Sequence, residues 1–88
     1  MTQPEVVVYM TDWCPYCQRA ASLLAAKHVT FKEINIDDDA KFREEMTARA
    51  QRRTVPQIFI GDKHVGGCDD LFALEQSGEL DRLIQGAG

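Results

Sequence analysis

The chain has no excess of positive charge, since 10 Lys and Arg residues stand against 14 Asp and Glu residues and give a net charge of -4. Domains that bind nucleic acid generally carry a basic face. The sequence also lacks an apolar run that approaches the ~20 residues of a membrane-spanning helix. These two shortages argue against nucleic acid and the lipid bilayer as partners.

Cysteine is scarce as well, with three in 88 residues. An odd, small number fits poorly with a secreted fold held together by disulfides. The first five residues carry no basic charge, and the apolar run after them is too short for a signal peptide. We therefore expect a single domain over residues 1–88, located in the reducing cytoplasm, with 44% hydrophobic residues to build one core.

Two of the cysteines, Cys14 and Cys17, stand between an apolar, β-branched run and a helix-forming segment. Pro15 suits the first helical position, so Cys14 is expected at the mouth of the helix and Cys17 one turn inside it. The unpaired N–H groups and the positive end of the helix dipole favour a thiolate there. Cys14 is thus the predicted nucleophile and Cys17 the resolving thiol. A zinc half-site or two core cysteines are the alternatives, but a lone Cys-x-x-Cys between strand and helix favours redox chemistry.

The remaining pattern predicts the element order β-α-β-α-β-β-α, with a short helix at the end. In the first helix, Cys17, Ala20, Ala21, Leu24 and His28 recur at helical spacing and are expected to face a sheet. The predicted strands are residues 5–10, 31–36, 57–60 and 63–66, and the predicted helices are residues 15–27, 40–50, 71–76 and 79–85.

Three motifs in this order, Cys14-Pro15-Tyr16-Cys17, Thr54-Val55-Pro56 and Gly66-Gly67-Cys68-Asp69-Asp70, resemble those of dithiol glutaredoxins, in particular the small bacterial ones. The resemblance extends from Val6 to Ile84. It implies an α/β thioredoxin fold, in which a βαβ half and a ββα half share a four-stranded mixed sheet with helices on both faces. It also implies thiol–disulfide exchange with glutathione as co-substrate and no metal.

The resemblance further implies which residues bind glutathione. Pro56 would be a cis proline that turns the backbone of Val55 toward the tripeptide, although a strand-starting proline is the alternative. Helix-start N–H groups after Gly67 would receive the γ-glutamyl carboxylate, and the Asp69 side chain would take the amine or simply cap the helix. The full predicted set comprises the catalytic Cys14 and Cys17 and the binding residues Tyr16, Arg43, Thr54, Val55, Pro56, Gly67, Cys68 and Asp69.

The glycyl carboxylate of glutathione needs a cation, and an arginine fork suits it. Arg43 is the predicted partner because it lies where the family places a polar side chain, with Arg53 as the alternative. Arg49 and Arg52 are more simply read as a solvated helix face. One departure from the family concerns Thr11, which replaces a frequent lysine three residues before the first cysteine and is followed by Asp12. Cys14 therefore has less local positive charge than is usual.

The predicted activity is the reduction of protein–glutathione mixed disulfides and protein disulfides by a monomer, with ribonucleotide reductase a candidate partner. Two alternatives stay open at this point. One is a thioredoxin-like donor recharged by thioredoxin reductase, and the other is an iron–sulfur carrier in which two chains share a cluster through Cys14 and glutathione. Pro15 counts against the carrier because it stiffens the turn. His28 and His64 lack metal-ligand spacing with the cysteines and are predicted to be structural.

Overall fold

The computed structural model describes residues 3–85, and the order of its elements is the predicted one. The strands are β1 (Val6–Met10), β2 (Lys32–Asn35), β3 (Gln57–Ile60) and β4 (Lys63–Gly66), and the helices are α1 (Pro15–Ala26), α2 (Ala40–Ala50), α3 (Cys68–Ser77) and α4 (Glu79–Gln85). Within the described residues, no helix has the length and apolar character needed to cross a membrane.

The four strands form one mixed sheet in the order β2-β1-β3-β4. β1 runs parallel to β2, which the intervening helix α1 requires, and antiparallel to β3. β3 and β4 form the predicted hairpin, with a register shift between Ile58 and Phe59. The βαβ half and the ββα half thus meet along the central pair β1 and β3, as expected from the sequence.

Successive side chains of β1 point to opposite faces of the sheet, and each face has its own core. Val6 and Val8 pack on one face with residues of α1, α3 and α4, including Leu24 and Leu71. Val7, Tyr9 and Phe59 pack on the other face with residues of α2, including Met46. Burial on both faces explains why β1 is a continuous apolar run. Helices therefore cover both faces of the sheet.

Two local predictions were wrong. Helix α3 begins at Cys68, not Leu71, because Gly67 acts as its N-cap and its N–H group bonds to the Asp70 carboxylate at 2.9 Å. His28 does not face the sheet. Helix α1 ends at Ala26, and His28 is exposed in a left-handed turn with φ of 60°.

Candidate active site

The two motif cysteines lie at the start of α1, where Cys14 is the N-cap and Pro15 the first helical residue. The backbone N–H of Cys17 donates to Cys14 Sγ at 3.1 Å. The same sulfur lies 3.9 Å from the carbonyl oxygen of Val55, close enough for a thiol to donate to it. Both cysteines are free thiols. The helix start therefore directs a backbone N–H group at the Cys14 sulfur, which is the geometry expected of a helix N-cap.

Cys17 has a different environment. It is 2% exposed, and this burial, together with hydrogen bonding to Cys14, raises the pKa of Cys17 to about 12. A thiol with such a pKa keeps its proton at neutral pH and is a poor nucleophile. The two cysteines are thus chemically distinct, in the way that separate nucleophile and resolving roles require.

A groove beside the cysteines is formed by the loop before β3 and the start of α3. It is lined by Tyr16, Arg52, Thr54, Val55, Pro56, Gln57, Gly67, Cys68, Asp69 and Asp70. All the predicted binding residues except Arg43 are in this set, although they come from three distant parts of the sequence. The Val55–Pro56 peptide bond is cis, as the resemblance implies.

Arg43 is not on the groove. It is exposed, its guanidinium donates to Asp37 at 3.4 Å, and it lies with Arg53 on an outer surface of α2. Arg52 reaches the groove instead, where its Nη1 lies 3.4 Å from Asp70 Oδ2. Helix α2 ends just before Arg52, where Gln51 adopts the left-handed conformation with φ of 59°, so Arg52 lies outside the helix.

The glycine-rich end of the groove is tightly constrained. Gly66 has φ of +115°, and a Cβ at this position would meet Asp70 Oδ2 at 2.3 Å, so glycine is required there. The Gly67 N–H is occupied by Asp70, and the first helical hydrogen bond runs from Leu71 to Gly67, which leaves the N–H groups of Cys68, Asp69 and Asp70 as donors without intrahelical partners. Cys68 is buried, and burial raises the pKa of its thiol, so this side chain packs in the interior as a thiol.

Two polar networks next to the groove were not predicted from the sequence. Gln57, fully buried, connects Thr54 to His64, and burial lowers the pKa of His64. On the α2 side, the buried hydroxyl of Tyr9 donates to the Glu45 carboxylate and accepts from Arg49 Nη1 at 3.0 Å. Burial is the main cause that raises the Tyr9 pKa.

Arg49 is therefore not simply part of a solvated helix face. Its guanidinium also stacks 4.1 Å from the centre of the Phe59 ring. A tyrosine in an otherwise apolar strand was the available sequence signal for this network, because a buried hydroxyl needs partners.

The departures noted in the sequence lie around Cys14. Thr11 is 1% exposed, and its hydroxyl has no hydrogen-bond partner among residues 3–85. Trp13 and Tyr16 are 73% and 56% exposed, so one aromatic ring just before the motif and one within it lie at the surface. Across all the residues that the structure describes, 3–85, no group of three or more His, Cys, Asp or Glu side chains is arranged to hold a metal ion.

Comparison with known proteins agrees with this geometry. The sequence profile of the glutaredoxin family matches residues 6–65. The chain belongs to the glutaredoxin family. A glutaredoxin of Pseudomonas aeruginosa is 56% identical over 81 residues, which cover 92% of this chain and 96% of that protein.

Two solved glutaredoxin structures have the same fold as this chain. The solution structure of glutaredoxin from Brucella melitensis is 48% identical with a TM-score of 0.87, covering 100% of this chain and 96% of that one. The crystal structure of the buckwheat glutaredoxin–glutathione complex is 29% identical with a TM-score of 0.85, covering 94% of this chain and 77% of that one. The predicted thioredoxin fold is confirmed, and the protein is a thiol–disulfide oxidoreductase.

Proposed function

We propose that this glutaredoxin uses glutathione to reduce protein–glutathione mixed disulfides and, through both cysteines, protein disulfides. The observation that supports it most directly is the pairing of the Cys17 N–H with Cys14 Sγ, next to the groove that contains Val55. The relative from buckwheat with this fold is named as a complex with glutathione. The groove offers backbone donors and a cation, which a tripeptide with two carboxylates requires.

In the first step, the Cys14 thiolate attacks the glutathionyl sulfur of a mixed disulfide. The S–S bond breaks, the substrate protein leaves as a thiolate, and Cys14 carries the glutathionyl group. A second glutathione thiolate then attacks that group, so glutathione disulfide forms and the Cys14 thiolate returns. One free glutathione is consumed in each turnover, because its sulfur pairs with the glutathionyl sulfur already present in the substrate, and the Cys17 thiol is not required.

With a protein disulfide, Cys14 forms a mixed disulfide with the substrate. Cys17 then attacks Cys14 Sγ, which releases the substrate as a dithiol and leaves a Cys14–Cys17 disulfide that two glutathione molecules reduce. Cys17 must lose its proton for that attack, although its pKa in the resting protein is about 12. Its burial and its hydrogen bond to Cys14 raise that pKa, and the charge of Cys14 adds to them. Once Cys14 is in a disulfide it carries no charge. The resolving thiol would therefore ionise more readily when it is needed.

Each end of glutathione has a proposed partner in the groove. The backbone of Val55 pairs with the peptide, Tyr16 forms a wall beside Cys14, and the free N–H groups of Cys68 and Asp69 receive the γ-glutamyl carboxylate. The Asp69 side chain takes the amine. For the glycyl carboxylate, its position on the groove favours Arg52 over the predicted Arg43. Arg52 would leave its 3.4 Å contact with Asp70 and bind the glycyl carboxylate.

Turnover with NADPH tests the electron source. We expect NADPH oxidation with glutathione and glutathione reductase, and none above background when thioredoxin reductase replaces them. Glutaredoxins have potentials of about −200 to −230 mV, against about −270 mV for thioredoxin, which suits reduction by glutathione. Cys17→Ser should retain deglutathionylation and lose protein disulfide reduction, whereas Cys14→Ser should lose both. Turnover driven only by thioredoxin reductase would contradict the proposal.

A further inference from the structure

We infer that His64 is a positioning residue, which acts through Gln57 to hold the Thr54–Pro56 segment in the shape that binds glutathione. The inference rests on the proposed use of glutathione. His64 itself lies on β4 and is not among the residues that line the groove. Its influence on the groove passes through one buried side-chain amide.

The Gln57 side-chain amide is hydrogen-bonded through both its nitrogen and its oxygen. Gln57 is fully buried, and its Nε2 donates to the Thr54 carbonyl oxygen at 3.0 Å and lies 3.2 Å from the Thr54 hydroxyl. A carbonyl can only accept, so the nitrogen of the amide must face Thr54. Oε1 then faces His64, whose Nε2 lies 2.7 Å away and must carry the hydrogen. We call Thr54, Gln57 and His64 the relay. The Thr54 carbonyl fixes the orientation of the Gln57 amide, and that amide fixes which nitrogen of His64 carries the hydrogen.

The relay supports backbone that has little other support. Pro56 has no N–H, so it cannot donate to the segment before it. Thr54 is exposed and belongs to neither a helix nor a strand. The Gln57 side chain provides the hydrogen bond to the Thr54 carbonyl and so bridges Val55 and Pro56, the residues that line the middle of the groove.

His64 is itself held in place. Its ring stacks on Phe59 with centroids 4.9 Å apart and an interplanar angle of 30°. Phe59 in turn lies beneath the Arg49 guanidinium and contacts the edge of Tyr9. Because the imidazole is fixed on one face by this stack, its Nε2 stays directed at Gln57, and this partly buried donor–acceptor pair restrains both partners.

The variant His64→Phe separates the hydrogen bond from the packing, because phenylalanine keeps a ring on Phe59 and removes the donor. It leaves Gln57 Oε1 buried without a partner, which weakens the relay. We expect KM for a glutathionylated peptide to rise about three- to tenfold, with kcat changed less than about twofold.

Two further variants complete the comparison. His64→Gln supplies an amide N–H at a similar reach, so its KM should be close to that of the wild type. His28→Asn is the matched control, because it removes the other histidine at an exposed site where Asn tolerates a positive φ. An unchanged KM in His64→Phe, or a kcat that falls as much as KM rises, would overturn the inference.

A measurement on the wild-type protein without glutathione keeps the inference separate from the proposed function. In NMR spectra, the two Nε2 protons of Gln57 should exchange with solvent slowly, because both have protein acceptors. In His64→Phe the same protons should exchange faster. Exchange as fast as that of an exposed side-chain amide in the wild type would refute the relay, whereas a lack of glutathione turnover with slow exchange would refute only the proposed function.

Discussion

The difference between Cys14 and Cys17 predicts selective alkylation. Burial and hydrogen bonding raise the pKa of Cys17 to about 12, so at pH 8 about one Cys17 side chain in ten thousand is a thiolate. For an ordinary cysteine with a pKa near 8.5, the fraction is about one quarter. Thiolates of higher pKa are intrinsically more nucleophilic, which recovers a factor of about 25 to 55. Cys17 should therefore react about 40- to 100-fold more slowly than an ordinary thiol.

The assay is a time course with iodoacetamide at pH 8 under reducing conditions, followed by mass spectrometry. No Lys or Arg separates the two cysteines, so both fall in the tryptic peptide that ends at Arg19. Fragment spectra must therefore locate the label. We expect the label on Cys14 while Cys17 stays free. Cys68 is an internal comparison in another peptide, and it should also react slowly because burial raises its pKa.

The variant Cys14→Ser is the control, because it removes the contributions of the Cys14 thiol to the raised Cys17 pKa and keeps the largest one, burial. Cys17 should still react slowly in this variant. Label that divides equally between Cys14 and Cys17 in the wild type, or appears first on Cys17, would refute the assignment of nucleophile and resolving thiol.

The same shift affects stability at high pH. An unfolded chain ionises Cys17 near pH 8.5, whereas the folded protein holds that proton until about pH 12. Between these values the unfolded state binds fewer protons, so the free energy of unfolding falls as pH rises. Chemical denaturation at pH 7 and pH 10 should show a larger fall for the wild type than for Cys17→Ala. An equal fall in both would show that Cys17 does not contribute.

Three further variants test other parts of the structure. Leu24→Ala should lower the free energy of unfolding by about 2–5 kcal/mol, measured in urea, because Leu24 is fully buried; a loss no larger than that of Leu23→Ala, at a partly buried site, would contradict the packing. Thr11→Val should raise it by about 1 kcal/mol, because it removes a buried hydroxyl without a partner in residues 3–85; a loss of stability would show that the hydroxyl is bonded. Arg52→Gln should raise KM for glutathione about five- to tenfold, and Arg43→Gln should leave it unchanged; the reverse result would restore the sequence-based prediction.

The order of elements and the position of the cysteine pair could be predicted because they depend on local patterns. An apolar, β-branched run, a proline after Cys14 and helical spacing from Cys17 onward act within a few residues of each other. The start of α3 could not be placed in this way. Gly66 and Gly67 indicate a break, but the hydrogen bond from Gly67 to Asp70 that extends the helix to Cys68 depends on three-dimensional geometry.

Long-range geometry also explains what the sequence missed at the site. Both Arg43 and Arg52 are arginines in the same basic stretch of the sequence, and only the folded structure shows that Arg52 lines the groove whereas Arg43 pairs with Asp37 on α2. The contact of His64 with Gln57 follows from the register of the β3–β4 hairpin, which no pattern in either strand specifies.

The central claim is that Cys14 carries the glutathionyl group, and it is tested by trapping that intermediate. Cys17→Ser, incubated with glutathione disulfide, cannot resolve the adduct with its second thiol. Mass spectrometry should find one glutathionyl group per chain, located on Cys14 and released by added glutathione. An adduct on Cys68 in place of Cys14, or no adduct at all, would contradict the account.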